Sequence, residues 1–86
     1  MAGYKVFFKA LVEKELQAIP KKDVIKILRQ INSLAINPRP PGCEKLTGQE
    51  RYRVRQGMYR IVYSIQDFNL TVWIVRVGNR KDVYRK

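Results

Sequence analysis

The chain has 86 residues, 45% of them hydrophobic, with 18 Lys and Arg against 7 Asp and Glu, a formal charge of +11. That length suffices for one domain with one modest core, expected over residues 1–86, and the apolar content excludes an intrinsically disordered chain. With no His and a single cysteine, Cys43, an intramolecular disulfide, an ordinary zinc or iron site and a Ser-His-Asp or Cys-His pair are all excluded. The lone thiol fits a reducing compartment, and no run approaches the roughly 18 apolar residues of a spanning helix, so a cytoplasmic protein is expected. A charge this lopsided is a statement about partners: nucleic acid first, then an acidic protein, then an anionic membrane surface.

Tyr4 to Phe8 has aromatic and β-branched residues at strand density and predicts a first strand. From Ala10 to Ile19, Leu11, Val12, Leu16 and Ile19 recur at helical spacing, with Glu13, Lys14, Glu15 and Gln17 facing outward. Pro20 is expected at the first position of a second helix, whose stripe is Val24, Leu28, Ile31 and Leu34 or Ala35, flanked by Ile25 and Ile27. Asn37-Pro38 stops it, and Arg39 to Cys43 is a stiff loop returning the chain to a sheet. Glu44 to Leu46 predicts a short strand, Tyr52–Gln56 and Met58–Gln66 a hairpin about Gly57, and Asp67-Phe68-Asn69 a second turn. Leu70 to Val77 carries apolar residues on both faces, Val72 and Ile74 on one and Thr71, Trp73, Val75 and Val77 on the other, as a centrally placed strand does. The expected fold is α+β in two layers, a first strand and a helical hairpin packed on a mostly antiparallel sheet, in the order β-α-α-β-β-β.

The hairpin about Gly57 is where chemistry concentrates. Side chains alternate along a strand, so Arg53 and Arg55 point away from Tyr52 and Val54, and Arg60 points away from Tyr59, Ile61, Tyr63 and Ile65. If the apolar faces match, three guanidinium groups meet on one surface. Such crowding is electrostatically unfavourable and suits an anion, with arginine preferred over lysine for bidentate contact with phosphate. Tyr52, Tyr59, Tyr63 and Trp73 are expected in the core, Lys21, Lys22 and Lys26 on an ordinary helix surface, and Cys43 as an inert thiol.

The set Lys45-Leu46-x-Gly48, Tyr52-Arg53-Val54-Arg55, Gly57-x-Tyr59-Arg60-Ile61-Val62-Tyr63 and Val77-Gly78-Asn79-Arg80, with Val83-Tyr84 beyond it, closely resembles the RelE toxins of RelE/ParE-type toxin–antitoxin pairs. The resemblance covers essentially the whole chain. It implies a ribosome-dependent, metal-independent endoribonuclease without cofactors that cuts messenger RNA in the A site of the small subunit. The ribose 2′-hydroxyl attacks the adjacent phosphodiester, leaving a 2′,3′-cyclic phosphate and a 5′-hydroxyl. The catalytic positions carried over are Arg53, Arg55, Arg60, Arg80 and Tyr84, with Lys45, Arg51, Lys81 and Arg85 as further RNA contacts. The implied partners are an acidic, RelB-like antitoxin, the ribosome with its messenger, and operator DNA through the antitoxin complex alone, with no membrane.

This chain has arginine at positions 53 and 55, where the family often has lysine. Arginine keeps its proton essentially always and makes a poor general base, so Tyr84 is left as the titratable group, its phenol favoured as phenolate by neighbouring cations, either to accept the 2′-hydroxyl proton or to orient that hydroxyl by stacking on the base. Two other readings share these residues: a ParE-like toxin that inhibits DNA gyrase by protein contact, and a noncatalytic RNA-binding module.

Overall fold

A computed structural model describes residues 3–48 and 50–79 of the chain. Five strands, two helices and a 3-10 turn follow in the order β1 (Lys5–Phe8), α1 (Ala10–Gln17), α2 (Lys21–Leu34), β2 (Glu44–Lys45), β3 (Tyr52–Gln56), β4 (Tyr59–Gln66), the turn Asp67–Asn69 and β5 (Thr71–Asn79). The strands form one sheet in the order β1-β5-β4-β3-β2, parallel between β1 and β5 and antiparallel elsewhere. This is the expected two-layer α+β arrangement with both helices on one sheet face, and the two-residue β2 adds a strand to the expected order β-α-α-β-β-β.

The core gathers Val12 of α1, Ile27, Ile31 and Leu34 of α2, and Val54, Ile61, Tyr63, Val72, Ile74 and Val77 of the sheet. The apolar stripe of α2 is rotated from the one expected. Ile27 is fully buried whereas Leu28 is exposed, because the spacing 24, 27, 31, 34 follows the helical repeat as well as the spacing through 28 does. In α1 the buried residue is Val12, and Leu11 is exposed. Pro20 sits one residue earlier than expected, as the cap whose carbonyl accepts the N–H groups of Asp23 and Val24.

The hairpin between β3 and β4 turns through Gly57 and Met58. Gly57 alone has a positive φ, 61°, which places a residue without Cβ at the first central position, the requirement of a type II′ turn. That two-residue loop sets the register Gln56↔Tyr59, Arg55↔Arg60, Arg53↔Val62 and Tyr52↔Tyr63.

Strand β5 departs from simple alternation. Val62 pairs with Arg76 but Tyr63 pairs with Ile74, so Val75 is an extra residue at a bulge. Past it, Val77 faces the core with Val72 and Ile74, not with Trp73 as alternation predicts. Trp73 is not in the core either. It stands on the outer sheet face beside Phe7, its partner on β1, with ring centroids 5.0 Å apart. Tyr52 and Tyr59 are half-buried against the core, and Tyr63 is fully buried.

The loop before β2 is held by polar contacts. The Tyr63 hydroxyl donates to the carbonyl of Pro38 at 2.7 Å, and burial pushes its phenol well above the ordinary tyrosine range. Arg39 forks onto Asp67 at 3.0 and 3.2 Å and lies over the ring of Tyr52, while the Tyr4 hydroxyl donates to the same carboxylate at 2.8 Å. The Arg39 and Tyr4 hydrogen bonds hold the Asp67 carboxyl below its usual range. Among the described residues no helix is long and apolar enough to cross a membrane.

Candidate nucleic-acid interface

The register places Arg55 directly opposite Arg60, and Arg53 two residues along β3 on the same side, the one turned away from the buried Val54 and Ile61. The three side chains differ in exposure. Arg55 is open to solvent, Arg53 is half-buried, and Arg60 is 5% exposed. A guanidinium so enclosed sits in a poorly screened setting, where its field acts strongly on any anion brought close.

A carboxylate already sits among them. Glu44 of β2 is the cross-strand partner of Arg53, and its Oε1 accepts the Nε–H of Arg53 at 2.7 Å and a second bond from the same guanidinium. The hydrogen bond and charge of Arg53, followed by the charges of Arg55 and Arg60, hold the Glu44 carboxyl below its ordinary range. One carboxylate therefore feels all three arginines. Sequence reasoning missed this residue. The signal was the short strand itself: once β2 pairs with β3, an acid near its start must fall beside an arginine.

Glu44 occupies Arg53 as an incoming phosphate would, and so competes with one. Glu44→Gln is expected to tighten binding of an anionic polymer about two- to fivefold, read as a titration at fixed salt. Protonation should act in the same direction. Because the folded-state carboxyl is depressed, its charge and its share of stability are present above the unfolded value and are lost as pH falls through the lowered one. Binding should therefore strengthen in that acidic window for the native chain and not for Glu44→Gln. Equal affinities of the two proteins at neutral pH would show that Glu44 does not compete.

The other expected contacts are dispersed or lie elsewhere. Arg51 is exposed just before β3. Lys45 is exposed at the sheet edge, 3.5 Å from Glu50, a solvated pair of little energetic weight. Arg80, Lys81, Tyr84 and Arg85 lie outside the described residues. No group of three or more His, Cys, Asp or Glu able to hold a metal ion occurs among the described residues. A concavity of about 220 Å³ lined by Asp23, Lys26, Gln56, Gly57, Met58 and Tyr59 lies against α2, on the opposite side of the sheet from the guanidinium groups. The arginines lie along one strand face, Arg55 open to solvent and Arg60 enclosed, a linear layout suited to an extended polymer.

The family model described as the ParE toxin of the type II toxin–antitoxin system, parDE, matches residues 6–84. The chain belongs to that family of toxins. Toxin RelG of Mycobacterium tuberculosis is 28% identical to this toxin over 87 residues, covering 96% of this chain and 98% of the relative. The archaeal RelE in the RelE–RelB complex of Pyrococcus horikoshii superposes on it with a TM-score of 0.82 at 30% identity, over 95% and 99% of the two chains. The isolated E. coli RelE toxin, 24% identical, shares the fold with a TM-score of 0.77 over 94% of this toxin and 90% of its own chain. The toxin is thus a member of the RelE/ParE superfamily acting in a type II toxin–antitoxin system.

Proposed function

We propose that this toxin is a ribosome-dependent endoribonuclease that cuts messenger RNA in the A site, acting as a single domain over residues 1–86 in the cytoplasm. The observation that carries the proposal is the gathering of Arg53, Arg55 and Arg60 on one face of adjacent strands, where Arg53 already holds a small anion, the carboxylate of Glu44. A toxin that works by protein contact alone has no need of three like charges on adjacent strands.

In an in-line transesterification the 2′-oxygen bonds to phosphorus while the bond to the 5′-oxygen breaks, and negative charge grows on the phosphoryl oxygens. Donors aimed at those oxygens strengthen as the charge grows, one well-placed donor being worth about 3 kcal/mol. Arg55 and Arg60 are the proposed clamp, and Arg53 joins them when phosphate displaces Glu44. Tyr84 is the proposed acceptor of the 2′-hydroxyl proton, and Arg80 stabilises the leaving 5′-oxygen. Lys45, Arg51, Lys81 and Arg85 hold the flanking RNA. The ribosome supplies orientation, which in favourable intramolecular reactions accounts for roughly 7–11 kcal/mol, so naked messenger should be cut poorly.

The partner that silences the toxin is a RelB-like acidic antitoxin, in keeping with a charge of +11 and with the RelE–RelB complex of the archaeal relative. Operator DNA is reached through that complex. The family description favours a second reading, a ParE-like inhibitor of DNA gyrase. A translation reaction containing a defined messenger separates the two. Codon-phased 5′-hydroxyl ends on ribosome-bound messenger are expected, whereas intact messenger together with a block to DNA supercoiling would overturn the nuclease reading in favour of gyrase.

A further inference from the structure

The outer face of the sheet continues past the arginines to an aromatic end. Strand registers lay it out in rows: Gly78, Arg60 and Arg55; then Arg76, Val62, Arg53 and Glu44; then Phe7, Trp73 and Ser64. Neighbouring strands are about 4.8 Å apart and same-face residues about 6.7 Å, so Trp73 stands on the order of 12 Å from Arg53, a span that a few nucleotides of single strand bridge. Phe7 is 43% exposed and tilted by 30° against Trp73. The ammonium of Lys9 lies 4.4 Å from the centre of the Trp73 ring. Across β4 the partner of Trp73 is Ser64, too small to cover the indole on that side.

We infer that Phe7 and Trp73 form a stacking platform for a base of the RNA strand whose scissile phosphate lies on the arginines. This rests on the nuclease reading and adds a second binding site to it. Three features select a nucleotide as occupant. The rings share one face with the arginine cluster, so a single strand reaches both. The cation beside the rings is Lys9, positioned to turn from the indole to the phosphate of the stacked nucleotide. The carboxylate of Glu15 on α1, which packs beside β5, is already engaged by Arg76 and by the N–H of Val77. Base stacking on aromatic side chains is tolerant of sequence, so the platform contributes grip and direction of the strand rather than codon choice.

Trp73 is the sole tryptophan, which makes the full-length toxin its own reporter. The probe is a short single-stranded oligoribonucleotide with 2′-O-methyl riboses, which cannot be cleaved, labelled for anisotropy. Binding should quench Trp73 emission with the same midpoint that anisotropy gives. Phe7→Leu should weaken binding about 5- to 100-fold, and an oligonucleotide abasic at the stacked position should weaken binding to the native toxin as much. The abasic arm requires no variant to fold. Binding by anisotropy that is lost on replacing Arg55 but leaves Trp73 emission unchanged would overturn the platform and spare the nuclease reading. An absence of binding by the native toxin, on or off the ribosome, would overturn both. Weakened antitoxin binding by Phe7→Leu at unaltered RNA affinity would assign the rings to protein contact and overturn the proposal.

Discussion

Arg55→Gln is expected to lower messenger cleavage on ribosomes by about 10²–10³-fold while leaving the melting temperature unchanged or raised. Arg55 is the most open of the three clustered arginines and stands directly across from Arg60. Two cations so paired repel each other in the free protein, and what they favour is the developing charge of a transition state. Removing the exposed member relieves the repulsion and loses the donor. Arg60→Ala tests the same chemistry less cleanly, since Arg60 is nearly buried and its loss opens the packing around it. The measurement is single-turnover cleavage of ribosome-bound messenger beside a thermal melt. Arg55→Lys should recover part of the rate, because it restores charge without the planar fork. If Arg55→Gln cleaves at the native rate, Arg55 is not part of the clamp. If it cleaves slowly only because it unfolds, the melt will show it.

Glu15→Ala should destabilise the fold by about 2–4 kcal/mol, a fall in melting temperature of roughly 8–32 °C for a chain of this size. The reason lies at the sheet edge. Pairing between β1 and β5 runs to Phe8↔Ile74, and the N–H of Lys9 makes the last contact, to the carbonyl of Ile74 at 3.0 Å. Beyond that point β5 has lost its β1 neighbour. The Glu15 carboxylate takes over, accepting the N–H of Val77 and the Nε–H of Arg76, each at 2.7 Å. Truncation strands a backbone donor and a guanidinium at a partly buried site, which costs more than the bonds are worth in isolation. Glu15→Gln, able to keep one acceptor in place, should lose less. A chemical-denaturation series over the three proteins checks the ranking, and a Glu15→Ala midpoint equal to the native one would mean that water replaces the carboxylate at no cost.

Glu15 also shows where sequence reading stops. On the helical pattern of residues 10–19 it belongs to the polar side and was expected to face solvent, as Glu13 and Lys14 do. Nothing in α1 says that the edge of β5 ends its pairing one turn away. Glu44 failed to stand out for the same reason, because its importance depends on being registered opposite Arg53. The bulge at Val75 is subtler: alternation along β5 was read without interruption, and a single extra residue moved Val77 into the core. For α2, two stripes one residue apart satisfied the helical period, and only packing against the sheet chose Ile27 over Leu28.

By itself the sequence determined the order of elements, the tight turn at Gly57, and the placing of Arg53, Arg55 and Arg60 on one face. Those follow from local rules: strand alternation has a period of two, helices a period near 3.6, and a positive φ calls for glycine. Tertiary structure alone decided which acids serve the arginines, how deeply Arg60 is enclosed, and that Trp73 and Phe7 stand outside on the same face. These depend on register and packing between segments as distant as β1 and β5, and no local period carries that information.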